Sequence, residues 1–104
     1  MPIAIDIPKE RLRDFCRRWK VTEFALFGSV TRPEEFRADS DVDVLMRFGP
    51  DASRTFDAWL DMRDELQAMF GHDVDLLERN AVEQMRNYLR RAEILETAVL
   101  LDVA

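Results

Sequence analysis

The chain has a single cysteine, Cys16, in 104 residues. One thiol rules out an internal disulfide framework and points to a reducing compartment, the cytoplasm. No apolar run approaches the roughly 20 residues that cross a bilayer, and the start of the chain lacks the apolar core of a signal peptide. Internal repeats, linkers and long low-complexity tracts are missing too. Lysine is scarce: Lys9 and Lys20 are the only two, so nearly all positive charge is arginine. Arginine suits phosphate and carboxylate forks, although most of these side chains are expected to be solvated surface. Positive charge is also outweighed, with a net charge of −6, which argues against direct binding of polynucleotide backbones. The only histidine, His72, lies in a Gly-His-Asp turn and reads as a turn residue rather than a ligand.

What is present is an ordinary globular composition, 47% hydrophobic, long enough for one core and not for two. A single domain over residues 1–104 is expected. Met1 to Ile7 reads as an edge strand or an arm. Pro8 suits the first turn of a helix, with Asp6 a possible cap nearby. From Lys9 to Lys20, Leu12, Phe15, Cys16 and Trp19 share one helical face, so Cys16 reads as a core thiol. Val21 to Phe27 is a strand. Ser29 to Arg32 is a helical turn, stopped near Pro33. Glu34 to Ser40 is a charged loop in which Phe36 packs on the core or flanks a base, packing being preferred. Asp41 to Phe48 is a second strand, with Val42, Val44, Met46 and Phe48 facing the core. Thr55 to Phe70 is a helix whose stripe includes Phe56, Trp59, Leu60, Leu66, Met69 and Phe70, ended by Gly71. Asp73 to Leu77 is a third strand. A helix capped by Asn80 runs to about Thr97 with a break near Asn87, Tyr88 half-buried on it, and Ala98 to Asp102 forms a final short strand. Strands separated by helices predict an α/β or α+β domain with helices packed on one sheet face.

The chemistry concentrates in two motifs. Phe27-Gly28-Ser29-Val30-Thr31-Arg32 closes the first strand, and Ser40-Asp41-Val42-Asp43-Val44 opens the second. Gly28 has no side chain, so a phosphate can approach its backbone. Ser29 falls where strand gives way to helix and free N–H groups favour an anion. Asp41 and Asp43 are two apart on a strand, so both carboxylates point to one face, where they repel unless a cation lies between them. Such hard oxygen ligands suit Mg²⁺ with substrate phosphates. A Gly-Ser pair alone is usually a turn, and a lone Asp-x-Asp is usually a solvated strand end. In this order, each beside an apolar strand, they are far more specific.

These residues resemble the signature of the minimal nucleotidyltransferases of the DNA-polymerase-β-like superfamily. That signature has Gly-Ser, a short helical segment with an Arg, a variable loop, Ser-Asp-x-Asp on a strand and a third Asp on a later strand. The matching residues are Gly28, Ser29, Arg32, Ser40, Asp41 and Asp43, with Asp75 as the third carboxylate. The likeness spans nearly the whole chain, including the tail from Ile94 to Val99. The family usually has a small residue before the Arg and Gly after it; Thr31 and Pro33 depart from this, in a slightly longer loop.

The resemblance implies a small mixed β-sheet with the active site on its open side. It also implies transfer of a nucleoside monophosphate from a triphosphate, ATP, to an acceptor hydroxyl. Asp41 and Asp43 would hold two Mg²⁺ ions, and Asp75 would hold the ion nearer the acceptor and take its proton. Gly28 and Ser29 would position phosphates, with Arg32 and Ser40 beside them. Larger relatives carry extra domains for the acceptor, whereas minimal ones are paired with a HEPN-domain ribonuclease toxin and act as antitoxins by attaching AMP to its tyrosine. A rival reading is a non-catalytic antitoxin whose acidic surface occupies a basic ribonuclease cleft. A third makes the three aspartates a structural cation site, for which a phosphate cradle would have no use.

Overall fold

The computed structural model describes residues 3–103. Met1 and Pro2, part of the expected lead, lie outside the described residues. Residues 3–7 form an arm and not a strand: the Ala4 N–H donates to the Val30 carbonyl at 2.9 Å, and Ile3, Ile5 and Ile7 pack on the core. The first helix, α1, is Lys9–Trp19, with Pro8 at its start and no side-chain cap. It buries Leu12, Phe15 and Cys16 and ends where Lys20 turns left-handed at φ 61. Burial pushes the Cys16 thiol up to about 12, so it stays protonated and inert, as a core thiol should.

Four strands follow in the chain: β1 Val21–Phe27, β2 Val42–Phe48, β3 Val74–Glu78 and β4 Val99–Leu101. In the sheet their order is β3-β2-β1-β4. β2 and β4 run antiparallel to β1, and β3 runs parallel to β2, so the sheet is mixed as expected. The parallel pair needs a crossover, and Phe56–Phe70 supplies it as α2. Thr55 caps this helix by accepting the Ala58 N–H at 3.1 Å, and Gly71 closes it at φ 73.

The main core lies between the sheet and α1 plus α2. Val42, Val44, Met46 and Phe48 alternate into it from β2, against Phe15, Phe24, Met62 and Leu66. The α2 stripe differs from expectation at its start: Phe56 is 73% exposed, because Ala58, Met62, Leu66 and Phe70 form the buried line.

The opposite sheet face is also partly covered, whereas helices were expected on one face. The predicted last helix breaks in two, α3 at Arg79–Glu83 and α4 at Tyr88–Thr97. Asn87 makes the break by capping α4, accepting the Arg90 N–H at 3.2 Å. Asn80 is not a cap; its Oδ1 accepts from Arg47 at 2.6 Å. Val82 and Ile94 press on Ala25, Phe27 and Leu45 to form a second, smaller core. Tyr88, expected to be half-buried, is 65% exposed. Among the described residues no helix is long and apolar enough to cross a membrane.

Leu66→Ala should lower the denaturant midpoint by an amount equivalent to about 2–5 kcal/mol, since Leu66 is fully buried under the sheet. Phe56→Ala should change stability by less than about 0.5 kcal/mol in the same urea titration.

Candidate active site

The ladders bring the chemistry together. The antiparallel pairing sets Phe27, the last residue of β1, opposite Asp43. The parallel pairing sets Asp75 beside Asp43. Adjacent strands lie about 4.8 Å apart, so partners in register on one face become close neighbours. Asp41 stands one residue before β2, where the Val42 N–H donates to the Asp73 carbonyl at 2.8 Å. Asp75, and not Asp73, opens into the same cavity as Asp43; Asp73 lines a separate hollow with Ser40 and His72.

Gly28 is fixed by this arrangement. Its φ is +75°, and a Cβ there would lie 2.2 Å from Asp43 Oδ2. The space beside the Gly28 backbone is therefore filled by a carboxylate, a closer constraint than room for a phosphate alone. The Gly28–Thr31 segment is a 3₁₀ turn, braced by Thr31 Oγ1 donating to the Gly28 carbonyl at 2.7 Å.

Asp43 titrates abnormally. Partial burial, then the charges of Asp75 and Asp41, raise its pKa from 3.8 to about 6, against the opposing pull of Arg90 and Arg32. Among the described residues no three His, Cys, Asp or Glu side chains form a ready metal-ligand group. The donors are nevertheless hard oxygens that repel one another around a partly desolvated carboxyl, and a divalent cation relieves that condition. The donor chemistry thus fits Mg²⁺.

The cavity at this point holds about 140 Å³. Of the residues expected from the sequence, Gly28, Arg32, Asp43 and Asp75 line it. Ser29, Ser40 and Asp41 are not among its lining residues, although Asp41 acts on Asp43 through its charge. Ser40 braces the loop instead: its hydroxyl accepts the Arg37 N–H at 2.9 Å, and its carbonyl accepts from His72 Nδ1 at 3.0 Å. Phe36 meets the His72 ring at a tilt of 55°, centroids 4.8 Å apart, and packs on the core, as preferred. Arg32 reaches the cavity, but its guanidinium is paired with Glu35. Three lining residues had escaped the sequence reading: Arg90, Glu93 and Thr97, all on α4. Their spacing of three and four is a helical signal, but nothing local in the sequence says that this face closes over the carboxylates.

The raised Asp43 pKa makes stability pH-dependent. The folded state holds the proton more tightly than the unfolded state, so this contribution is complete below pH 3.8 and is lost as pH rises through about 6. In metal-free buffer, Asp43→Asn should be more stable than the parent above pH 6. The expected gain is about 1–2 kcal/mol after discounting for solvent screening. Urea titrations at several pH values should show the advantage shrinking below pH 6 and absent below pH 4.

Comparison with known proteins agrees with this geometry. The nucleotidyltransferase-domain family model matches residues 9–101. A Methanocaldococcus jannaschii protein described as a protein adenylyltransferase is 31% identical over 74 residues, covering 71% of this chain and 70% of its own length. A tRNA dimethylallyltransferase of Thermosynechococcus vestitus is 29% identical over 85 residues, 82% of this chain, but only 24% of that enzyme is matched. Among solved structures, one described as a minimal nucleotidyltransferase superposes with a TM-score of 0.68 at 29% identity, covering 89% of this chain and 88% of the other. A chain from the complex of a tri-AMPylated Shewanella oneidensis HEPN toxin with an MNT antitoxin superposes at a TM-score of 0.58 and 15% identity, covering 92% of this chain and 70% of the other, and this likeness speaks to the fold. With a family match across most of its length and the carboxylates in register on β2 and β3, the chain belongs to the nucleotidyltransferase domain family.

Proposed function

We propose that this chain is a minimal nucleotidyltransferase domain that moves AMP from ATP to a hydroxyl, a tyrosine by preference, of a HEPN-type toxin, and so acts as an antitoxin in the cytoplasm. The observation that carries the reading is the Asp43–Asp75 pair, in register on neighbouring strands, with Asp43 packed against a glycine that has no room for a side chain. The protein-adenylyltransferase description of the M. jannaschii relative supports AMP as the group moved and a protein as acceptor. The toxin–antitoxin complex with the same fold supports a HEPN partner.

The reaction is a displacement at the α-phosphorus. The acceptor oxygen forms a bond to it, the bond to the bridging oxygen breaks, and pyrophosphate leaves. Asp41, Asp43 and Asp75 would hold a divalent cation, Mg²⁺ in the simplest case, which would neutralise charge on the phosphates and the leaving group. Asp75, the more exposed of the register pair, takes the acceptor's proton. Gly28 keeps the Asp43 carboxylate in its place under the cavity. Ile94, which α4 lays over this end of the sheet, gives the cavity an apolar wall.

Intact-mass analysis of the genomic-neighbour protein, incubated with this protein and Mg-ATP, tests the reading. One or more AMP additions on the partner are expected, and none with the Asp41→Asn, Asp43→Asn double variant. A stable complex without any mass gain, with any of the four nucleotides, would replace transfer by neutralisation through binding. Gly28→Ala should remain folded and form the same complex, but transfer AMP at least about tenfold more slowly, because Asp43 must leave its position.

A further inference from the structure

We infer that Arg90, on α4, is the side chain that grips the phosphates of the nucleotide, the role that the sequence motif gives to Arg32. The inference rests on the reading of the cavity as a nucleotide site, and it names the residue that sets affinity there. Both arginines line the cavity with Asp43 and Asp75. Their guanidinium groups differ in what they already hold. Arg32 is engaged by Glu35, three residues along its own loop. Arg90 makes no side-chain hydrogen bond or ion pair with any of the described residues, and its charge acts on Asp43 ahead of that of Arg32.

The backbone beneath Arg90 is fixed. Its N–H is held by the Asn87 cap, and Ile94, one turn further on, is buried in the second core. A fixed backbone with an uncommitted guanidinium is what an anion site needs. The fork of N–H donors matches phosphate oxygens two at a time, and no internal pair must be broken first. Arg32 would have to release Glu35 before doing the same. The departures at Thr31 and Pro33 fit this division, since they lie in the loop whose arginine is turned to a local partner. The chemistry of the ligand is that of a polyphosphate carried on a nucleoside, and the contact is to its phosphates and not to its base.

Titration calorimetry with the full chain tests this, with the non-hydrolysable ATP analogue AMP-PNP plus Mg²⁺ as the probe and adenosine as the control. Arg90→Gln should weaken AMP-PNP binding about ten- to a hundredfold and leave adenosine binding unchanged. Arg90→Lys should recover part of the loss, because it keeps charge and loses the fork. Arg32→Gln should cost less than Arg90→Gln. Equal AMP-PNP affinity in the parent and Arg90→Gln, or a larger loss in Arg32→Gln, would overturn the inference while leaving the nucleotide site intact. A parent protein that binds no nucleotide would overturn both the inference and the nucleotidyltransferase reading. Arg90 is exposed, so the thermal midpoint of Arg90→Gln should match the parent, and a loss of binding then reports contact and not folding.

Discussion

The site depends on one close approach. The Gly28 backbone and the Asp43 carboxylate occupy space that a Cβ would contest, at 2.2 Å. Because β1 ends at Phe27 and pairs Phe27 with Asp43, the glycine falls where the strand must turn away. Its positive φ turns the chain into the 3₁₀ segment, and its missing side chain lets the carboxylate lie beneath that turn. The turn positions Arg32 at the cavity, and the carboxylate gives the cavity its charge. The residue type, the backbone angle and the strand register therefore answer to the same few ångströms.

Along the same sheet face, charge is handled in two ways. At the far end of β2, Arg47 is tied to Asn80, Glu83 and Glu23, and Arg79 reaches Glu83 and Glu23. That end is balanced, and it fastens α3 to the sheet. In the middle, Leu45 is buried under Val82 and Ile94. At the near end the carboxylates of Asp43 and Asp75 are adjacent, with Arg90 and Arg32 only partly offsetting them. A structural ion-pair cluster would resemble the first arrangement. The second leaves like charge only partly compensated beside a cavity, as the proposed site would require.

Much of this was legible in the sequence because the signals are local. Alternation through Val42, Val44, Met46 and Phe48 gave the second strand its core face, and Gly71 marked the end of α2. Asp43 on β2 and Asp41 just before it were visible from spacing, and the third carboxylate came from the family likeness, since Asp73 and Asp75 alternate identically. The parallel ladder sets Asp75 beside Asp43, and Asp75 lines the cavity that Asp43 lines, whereas Asp73 lines a separate hollow. Other features were hidden because they depend on distant partners. The stripe on α2 takes in Phe56 by hydropathy, but the helix meets the sheet along Ala58, Met62, Leu66 and Phe70. The break at Asn87 and the return of α4 over the second face are decided by burial of Val82 and Ile94. Arg90, Glu93 and Thr97 enter the cavity only through that return, so no local pattern could assign them.

The strict register of β2 has a further consequence. Side chains alternate across the sheet, so a slip of one residue would exchange its two faces. Asp43 and Arg47 would then point among Phe15, Phe24 and Met62, and Val44 and Met46 would face the ion pairs of Arg47's present neighbours. Burying an unpaired charge there would be far more costly than losing one ladder bond. Asp43 is thus also a proofreader of strand alignment: mispaired chains are penalised by the same charge that the correctly paired chain holds at the cavity.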